Sequence, residues 1–276
     1  MNNFIYENLK KLKLKKFLTP ELDLRILLNN SKKIKKELFL SNFDQKDINL
    51  KKLNFFIKKR LQNQPISKIL KKKNFWKYEF FVNKNVLDPR PESELIIEES
   101  LSAIKDKNKK INILDIGTGS GCLSVCLANE FINSTILGID ISQKAINVAK
   151  KNVELHSKYK NIILKKADIN IIKNQFDLIV SNPPYLSEEE YRNTSIEIKK
   201  YEPKIAFIGG KDGLKFYRVF SKKLPNLLKH NGLLLIEIGE NQLLCCKQIF
   251  KNCGLKLIKI TKDYAKKDRI LIFSKI

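Results

Sequence analysis

A chain of 276 residues, 43% of them hydrophobic, suits one large domain plus a small one and is too apolar to be disordered. No apolar run approaches the roughly 20 residues of a membrane span. The opening Met1-Asn2-Asn3-Phe4-Ile5-Tyr6 lacks the basic head and apolar stretch of a secretory signal, so a soluble, cytoplasmic protein is expected. The formal charge of +25 admits a nucleic-acid partner. Lys, Asn and Ile are nevertheless enriched in loops and helices alike, and most of the charge reads as solvated surface.

Residues 1–73 read as a helical domain. Thr19-Pro20-Glu21 predicts a helix start, with a capping hydroxyl, Pro in the first turn and an acid at the positive end. Leu22, Ile26 and Leu27 follow at helical spacing. A second helix is expected over residues 32–40. A third starts near Asp47, with Leu50, Leu53, Phe56 and Ile57 on one face and Lys58-Lys59-Arg60 toward solvent. The domain has no Gly-rich loop and no paired acids, and reads as a recognition or packing module. Aromatics alternate over residues 74–88, which predicts a β-hairpin linker turning near Asn83-Lys84-Asn85. Trp76 and its neighbours Phe75, Tyr78 and Phe80 read as core. Pro89-Arg90-Pro91-Glu92 is irregular, and a helix begins about Glu92.

From residue 89 to 276 a third region is expected. Short apolar runs at 111–115, 135–139, 161–164, 176–180 and 233–238 suit strands buried on both faces. Helical patterns at 121–131, 143–156 and 213–229 alternate with them. The result is an open, doubly wound α/β sheet, closed by a terminal hairpin over 255–260 and 269–274. The five cysteines form no C-x-x-C pair and read as reduced thiols. Cys122 and Cys126 lie one helical turn apart with no His or second pair beside them, so no metal is expected.

The first functional motif is Asp115-Ile116-Gly117-Thr118-Gly119-Ser120-Gly121, between a strand and a helix. Glycine lets the backbone turn sharply and approach a ligand closely. Asp140 ends the next strand, where a carboxylate accepts ribose hydroxyls. The G-x-G-x-G spacing and the preceding Asp115 disfavour a pyrophosphate and suit the cationic S-adenosyl-L-methionine. The second motif is Ser181-Asn182-Pro183-Pro184-Tyr185, at the carboxyl end of a strand. An amide or exocyclic base nitrogen is a poor nucleophile because its lone pair is delocalised. The Asn182 side-chain oxygen and the Pro183 carbonyl are suited to accept its two N–H groups, and Tyr185 offers a flat face to a planar substrate. Glu237 and Glu240 flank a strand end nearby and are weaker candidates for substrate contact.

These motifs, with Pro65-Ile66-Ser67-Lys68-Ile69-Leu70, Pro89-Arg90-Pro91-Glu92-Ser93-Glu94, Tyr201-Glu202-Pro203 and the stretch from Gly209 to Arg218, resemble the peptide chain release factor glutamine methyltransferases (the PrmC/HemK family) over nearly the whole chain. The resemblance implies a seven-stranded Rossmann-like class I methyltransferase domain behind a small N-terminal all-helical, substrate-docking domain. It implies N5-methylation of the glutamine in the Gly-Gly-Gln motif of class 1 release factors, in the cytoplasm, by a monomer with no requirement for nucleic-acid binding. By position, Gly117, Thr118, Gly119, Ser120, Gly121, Asp140, Ile169 and Asn182 would bind S-adenosyl-L-methionine, and Asn182, Pro183, Pro184 and Tyr185 would hold the glutamine. Ile169 stands where the family often has an aromatic, and Asp88 where it has an aliphatic residue. The alternatives are an adenine-N6 or guanine-N2 methyltransferase acting on DNA or RNA, and a ribosomal protein glutamine methyltransferase.

Overall fold

The structure, a computed structural model, describes residues 3–156 and 161–275. Among them, in chain order, run α1 (Asn3–Leu14), α2 (Pro20–Asn29), α3 (Leu50–Leu61), α4 (Ile66–Leu70), β1 (Lys72–Phe75), β2 (Tyr78–Phe81), α5 (Glu94–Ala103), β3 (Asn112–Ile116), α6 (Cys122–Glu130) and β4 (Thr135–Asp140). Then come α7 (Gln143–His156), β5 (Ile162–Lys166), β6 (Phe176–Ser181), α8 (Glu188–Asn193), α9 (Ile196–Tyr201), α10 (Lys215–Leu227), β7 (Leu228–Glu237), α11 (Leu243–Lys251), β8 (Leu255–Lys262) and β9 (Asp268–Lys275). The chain forms two compact units. One holds everything up to Lys71 together with α9; the other holds Lys72–Ser195 and Glu202–Ile276.

In the helical unit, Ile5, Leu9 and Leu12 of α1 meet Leu24, Leu27 and Leu28 of α2 and Leu53, Phe56 and Ile57 of α3, each set at helical spacing. Three expectations need correction here. Thr19 does not cap α2 through its side chain; the hydroxyl instead faces Asp23 Oδ1 at 3.3 Å. Residues 32–40 are not a helix. Asn29 binds the Leu38 backbone in both directions (2.8 and 2.9 Å), and isolated bridges join Lys32 to Ile48 and Phe39 to Asn42. Four lysines at 32, 33, 35 and 36 would repel one another on one short helix. Arg60 does not face solvent. It is 6% exposed, paired with Asp23 and Glu197 at 2.6 Å each, and lies over the Phe17 ring. A guanidinium is buried this way only when acids offset its desolvation. The third helix begins at Leu50, where Asn49 Oδ1 accepts from Lys52 N.

In the larger unit the hairpin turns at Trp76-Lys77, earlier than expected. Trp76 adopts a left-handed φ of 54°. That strain is held by Glu94, which accepts from Trp76 N at 2.9 Å, and by Glu130, which accepts from the indole N–H at 2.9 Å. Asn83 forms its own turn by accepting from Asn85 N. The main sheet has the order β5-β4-β3-β6-β7-β9-β8, parallel except for the antiparallel β9. Apolar cores cover both faces. Of the strands expected to be buried on both faces, the exception is β5, an edge strand whose Ile163 is 57% exposed. The helices α8, α9 and α11 were not foreseen. Among the described residues no helix is long and apolar enough to cross a membrane.

Candidate active site

Two neighbouring parallel strands deliver the two motifs. Ile116 of β3 pairs with Ser181 of β6, and Ser181 Oγ donates to Ile116 O at 2.9 Å. The glycine loop and the Asn182 loop therefore leave the sheet at one level. From β3 the order runs to β4 on one side and to β6 on the other, which makes this the switch point where a doubly wound sheet opens a crevice.

The glycine loop is tied from beneath. Asp115 is fully buried, and its Oδ2 accepts from Thr118 Oγ1 at 2.7 Å and from Ser124 Oγ at 2.6 Å. Gly138, opposite Asp115 on β4, gives those hydroxyls room, since a Cβ there would stand 2.9 Å from Ser124 Oγ. Burial pushes the Asp115 carboxyl up to about 6, against the two hydroxyl bonds that lower it. Asp115 thus braces the loop through Oδ2, while its Oδ1 takes no part in that clamp. Above it, Gly117 and Thr118 both donate to Ile139 O at 2.9 Å, and Gly117, Gly119 and Gly121 take left-handed φ values of 74°, 55° and 79°. Ser120 is buried, and its carbonyl accepts from Asn152.

Asp140 is half-buried and already anchors backbone, accepting from Gly119 N at 3.0 Å and from Ser142 N at 2.8 Å. Burial raises its pKa and the two backbone bonds oppose the rise. Ile141, directly after Asp140, is 48% exposed. Ile169, expected at the adenine, is 7% exposed and belongs to the core with Ile139 and Ala167.

These residues fit S-adenosyl-L-methionine. A Cβ on Gly117 would meet nothing within 4 Å, so the loop opens on free space. Asp115 Oδ1 is buried and has no hydrogen-bond partner among the described residues. A carboxylate and an exposed isoleucine stand beside the loop, which suits ribose hydroxyls and a flat base.

The Asn182 loop is braced from two sides. Behind it, Leu186 N donates to Phe207 O and Gly209 N donates to Leu186 O, each at 2.8 Å. A Cβ on Gly209 would stand 2.6 Å from Pro184 O, so the Gly209–Gly213 turn packs directly on the loop's backbone. Gln242, which the sequence did not single out, donates to Tyr185 O at 2.8 Å and accepts from Gly239 N at 2.9 Å. Tyr185 is half-buried, its hydroxyl donates to Glu237 Oε1 at 3.2 Å, and burial raises its pKa. Pro183 is buried and Asn182 half-buried. Asn182 Nδ2 donates to Ser93 Oγ at 2.8 Å, and Ser93 Oγ donates to Glu237 Oε2 at 2.5 Å. Among the described residues, no hydrogen-bond donor reaches Asn182 Oδ1 or the Pro183 carbonyl oxygen.

Ser93 reaches the loop because its segment is fixed. Glu202, of the Tyr-Glu-Pro stretch, accepts from Asp88 N at 2.8 Å and from Arg90 Nη2 at 2.7 Å. Glu237 is 1% exposed and so faces the protein interior, while Glu240 lies on the surface, paired with Lys267. Cys126 is buried, and burial pushes the Cys122 thiol up to about 12, so both behave as inert thiols.

The family model of a methyltransferase domain matches residues 107–267. The release factor glutamine methyltransferase of Caulobacter vibrioides is 35% identical over 222 residues, covering 80% of this chain and 76% of that protein. The bifunctional methyltransferase of Rickettsia bellii is 35% identical over 305 residues, covering 100% of this chain but 55% of its own length. The chain thus spans about half the length of the Rickettsia relatives it matches. Among solved structures, the hMettl16 catalytic domain superposes with a TM-score of 0.55 at 18% identity, over 70% of this chain and 72% of that one, a likeness of fold.

Proposed function

We propose that this chain, which belongs to the release factor glutamine methyltransferase family, uses S-adenosyl-L-methionine to methylate the side-chain amide nitrogen (N5) of the glutamine in the Gly-Gly-Gln motif of class 1 peptide chain release factors. When bound, the donor supplies a methyl group made electrophilic by its sulfonium. Gly117, Thr118, Gly119, Ser120 and Gly121 shape its cradle, Asp140 takes the ribose hydroxyls, and Ile141 lies against the base, with Ile169 behind it in the core. The helical unit docks the release factor, and the enzyme works as a cytoplasmic monomer without needing nucleic acid.

The observation that carries this reading is the adjacency of the two loops at Ile116 and Ser181, with two oxygens on one of them left without donors. Asn182 Oδ1 and the Pro183 carbonyl accept the two N–H groups of the glutamine amide and fix its plane. Pro184 stiffens the loop, and Tyr185, held at its hydroxyl, presents ring surface to the planar group. As positive charge grows on the nitrogen, these fixed dipoles bind it more tightly, so they favour the transition state over the ground state. Neither oxygen needs to act as a base beforehand, because the N–H becomes acidic only as that charge develops.

The test is to incubate the protein with labelled donor and, in parallel, a release factor, a ribosomal protein fraction, total RNA and DNA. Label in the release factor's glutamine is expected. Label confined to RNA or DNA would mean that Asn182 holds a base amine, and label confined to the ribosomal fraction would move the substrate to another protein.

A further inference from the structure

A carboxamide can be turned either way at almost no change in shape, and only one orientation of Asn182 presents an oxygen to an incoming N–H. What fixes the orientation lies outside the two loops. Glu237, at the end of β7, is fully enclosed, and as a carboxylate it can only accept. Its Oε2 takes the Ser93 hydroxyl proton at 2.5 Å. Having spent its one proton, Ser93 Oγ can only accept from Asn182, which must therefore turn its NH2 toward Ser93, at 2.8 Å, and its oxygen away. We propose that Ser93 and Glu237 are positioning residues: a one-way hydrogen-bond chain, Asn182 to Ser93 to Glu237, locks the Asn182 carboxamide with its oxygen toward the acceptor nitrogen. The inference rests on the reading of Asn182 Oδ1 as the acceptor of the substrate N–H.

The chain has a consequence in pH. A protonated Glu237 could donate to Ser93 and reverse the direction, freeing the Ser93 proton for Asn182 Oδ1 and releasing the lock. The groups facing Glu237 are Ser93 and Glu92 on the segment before α5, Tyr185 on the Asn182 loop, Arg269 on β9, and Tyr217 on α10, whose hydroxyl donates to the Glu237 carbonyl oxygen at 3.0 Å. Burial pushes the Glu237 carboxyl up to about 7; the Ser93 bond, Arg269 and Tyr185 hold it down, while Glu92 raises it. Reversal therefore falls within the range where an enzyme can be assayed.

The test measures kcat at saturating donor and release factor from pH 6 to 8, with donor binding by calorimetry as the check on folding. The wild type should lose about tenfold in turnover toward the acid end, following one protonation. Ser93→Ala should fall about 10- to 100-fold at pH 8, bind donor normally and lose the acid limb. Ser93→Thr, which keeps the hydroxyl, should recover most of the turnover and the limb. Glu237→Gln cannot titrate and should show no limb. An acid limb that persists in Ser93→Ala or Glu237→Gln, or a Ser93→Ala turnover equal to wild type, overturns the proposal. Should Ser93→Ala fail to fold, Ser93→Thr and Glu237→Gln decide through their limbs. Should the wild type leave the release factor unlabelled, the release-factor reading fails instead; the same variants are then compared on whichever ribosomal-protein amide or nucleic-acid amine it does methylate, where the chain would still have to orient Asn182.

Discussion

The two loops that leave β3 and β6 side by side are both braced by a buried carboxylate, in different ways. Asp115 holds Thr118 and Ser124, three and nine residues along its own segment. Glu237 holds Ser93 and Tyr185, which arrive from 144 and 52 residues away. The first is a local clamp that keeps a tight turn in shape. The second collects three separate stretches of chain and gives a side-chain amide a direction. A clamp of the first kind governs whether the donor cradle exists; one of the second kind governs whether chemistry follows once everything is bound.

That contrast can be broken by substitution. The largest effect is expected for Asn182→Ala, which removes one of the two acceptor oxygens: turnover should fall about 100- to 1,000-fold, with donor affinity in calorimetry nearly unchanged. Equal loss of both would mean that the loop shapes the cradle as well. Asp115→Ala should do the reverse. It removes the shared acceptor of two buried hydroxyls, which keep only each other at 3.1 Å, and should cost about 1–3 kcal/mol in denaturant unfolding, with donor affinity at least about tenfold weaker. A variant as stable as wild type would remove Asp115 from the role of clamp.

The pH dependence separates stability from turnover. Both carboxyls titrate higher in the fold than their ordinary values, Asp115 at about 6 and Glu237 at about 7. Between the ordinary and raised values the folded protein holds protons that the unfolded chain has released. Their contribution to stability is therefore greatest in acid and is lost as pH rises through 6 to 7. From pH 8 to pH 6 they should add about 2 kcal/mol to unfolding free energy, most of it absent in Glu237→Gln. Turnover should move the opposite way over the same interval. The smallest effect is expected for Ile141→Ala, at a residue 48% exposed that matters little to the fold. It should weaken donor binding about three- to tenfold and leave the unfolding midpoint in place.

The parts legible in the sequence are those whose cause is local. The strands of the main sheet announced themselves as short apolar runs, and the Gly117–Gly121 and Asn182–Tyr185 loops as turns that must follow strands. The segments that misled are those where a distant partner decides. Residues 32–40 carry enough apolar side chains for a helix, yet Asn29 claims the Leu38 backbone. Arg60 reads as one more cation in a basic run until Asp23 and Glu197 close on it. Trp76 turns the hairpin early because Glu94 and Glu130 hold it there. The candidate site divides along the same line. Asp140 and Asn182 could be named from their positions after strands, whereas Ser93, Gln242 and the inward-facing Glu237 act through bonds that only the folded chain brings together.

The most direct measurement is a crystal structure of the protein with S-adenosyl-L-homocysteine and a release factor bearing its Gly-Gly-Gln loop. The account predicts the glutamine nitrogen within hydrogen-bond distance of both Asn182 Oδ1 and the Pro183 carbonyl oxygen, facing the donor's sulfur. A glutamine amide bound elsewhere, or an Asn182 whose nitrogen faces it while the oxygen turns to Ser93, would contradict the account.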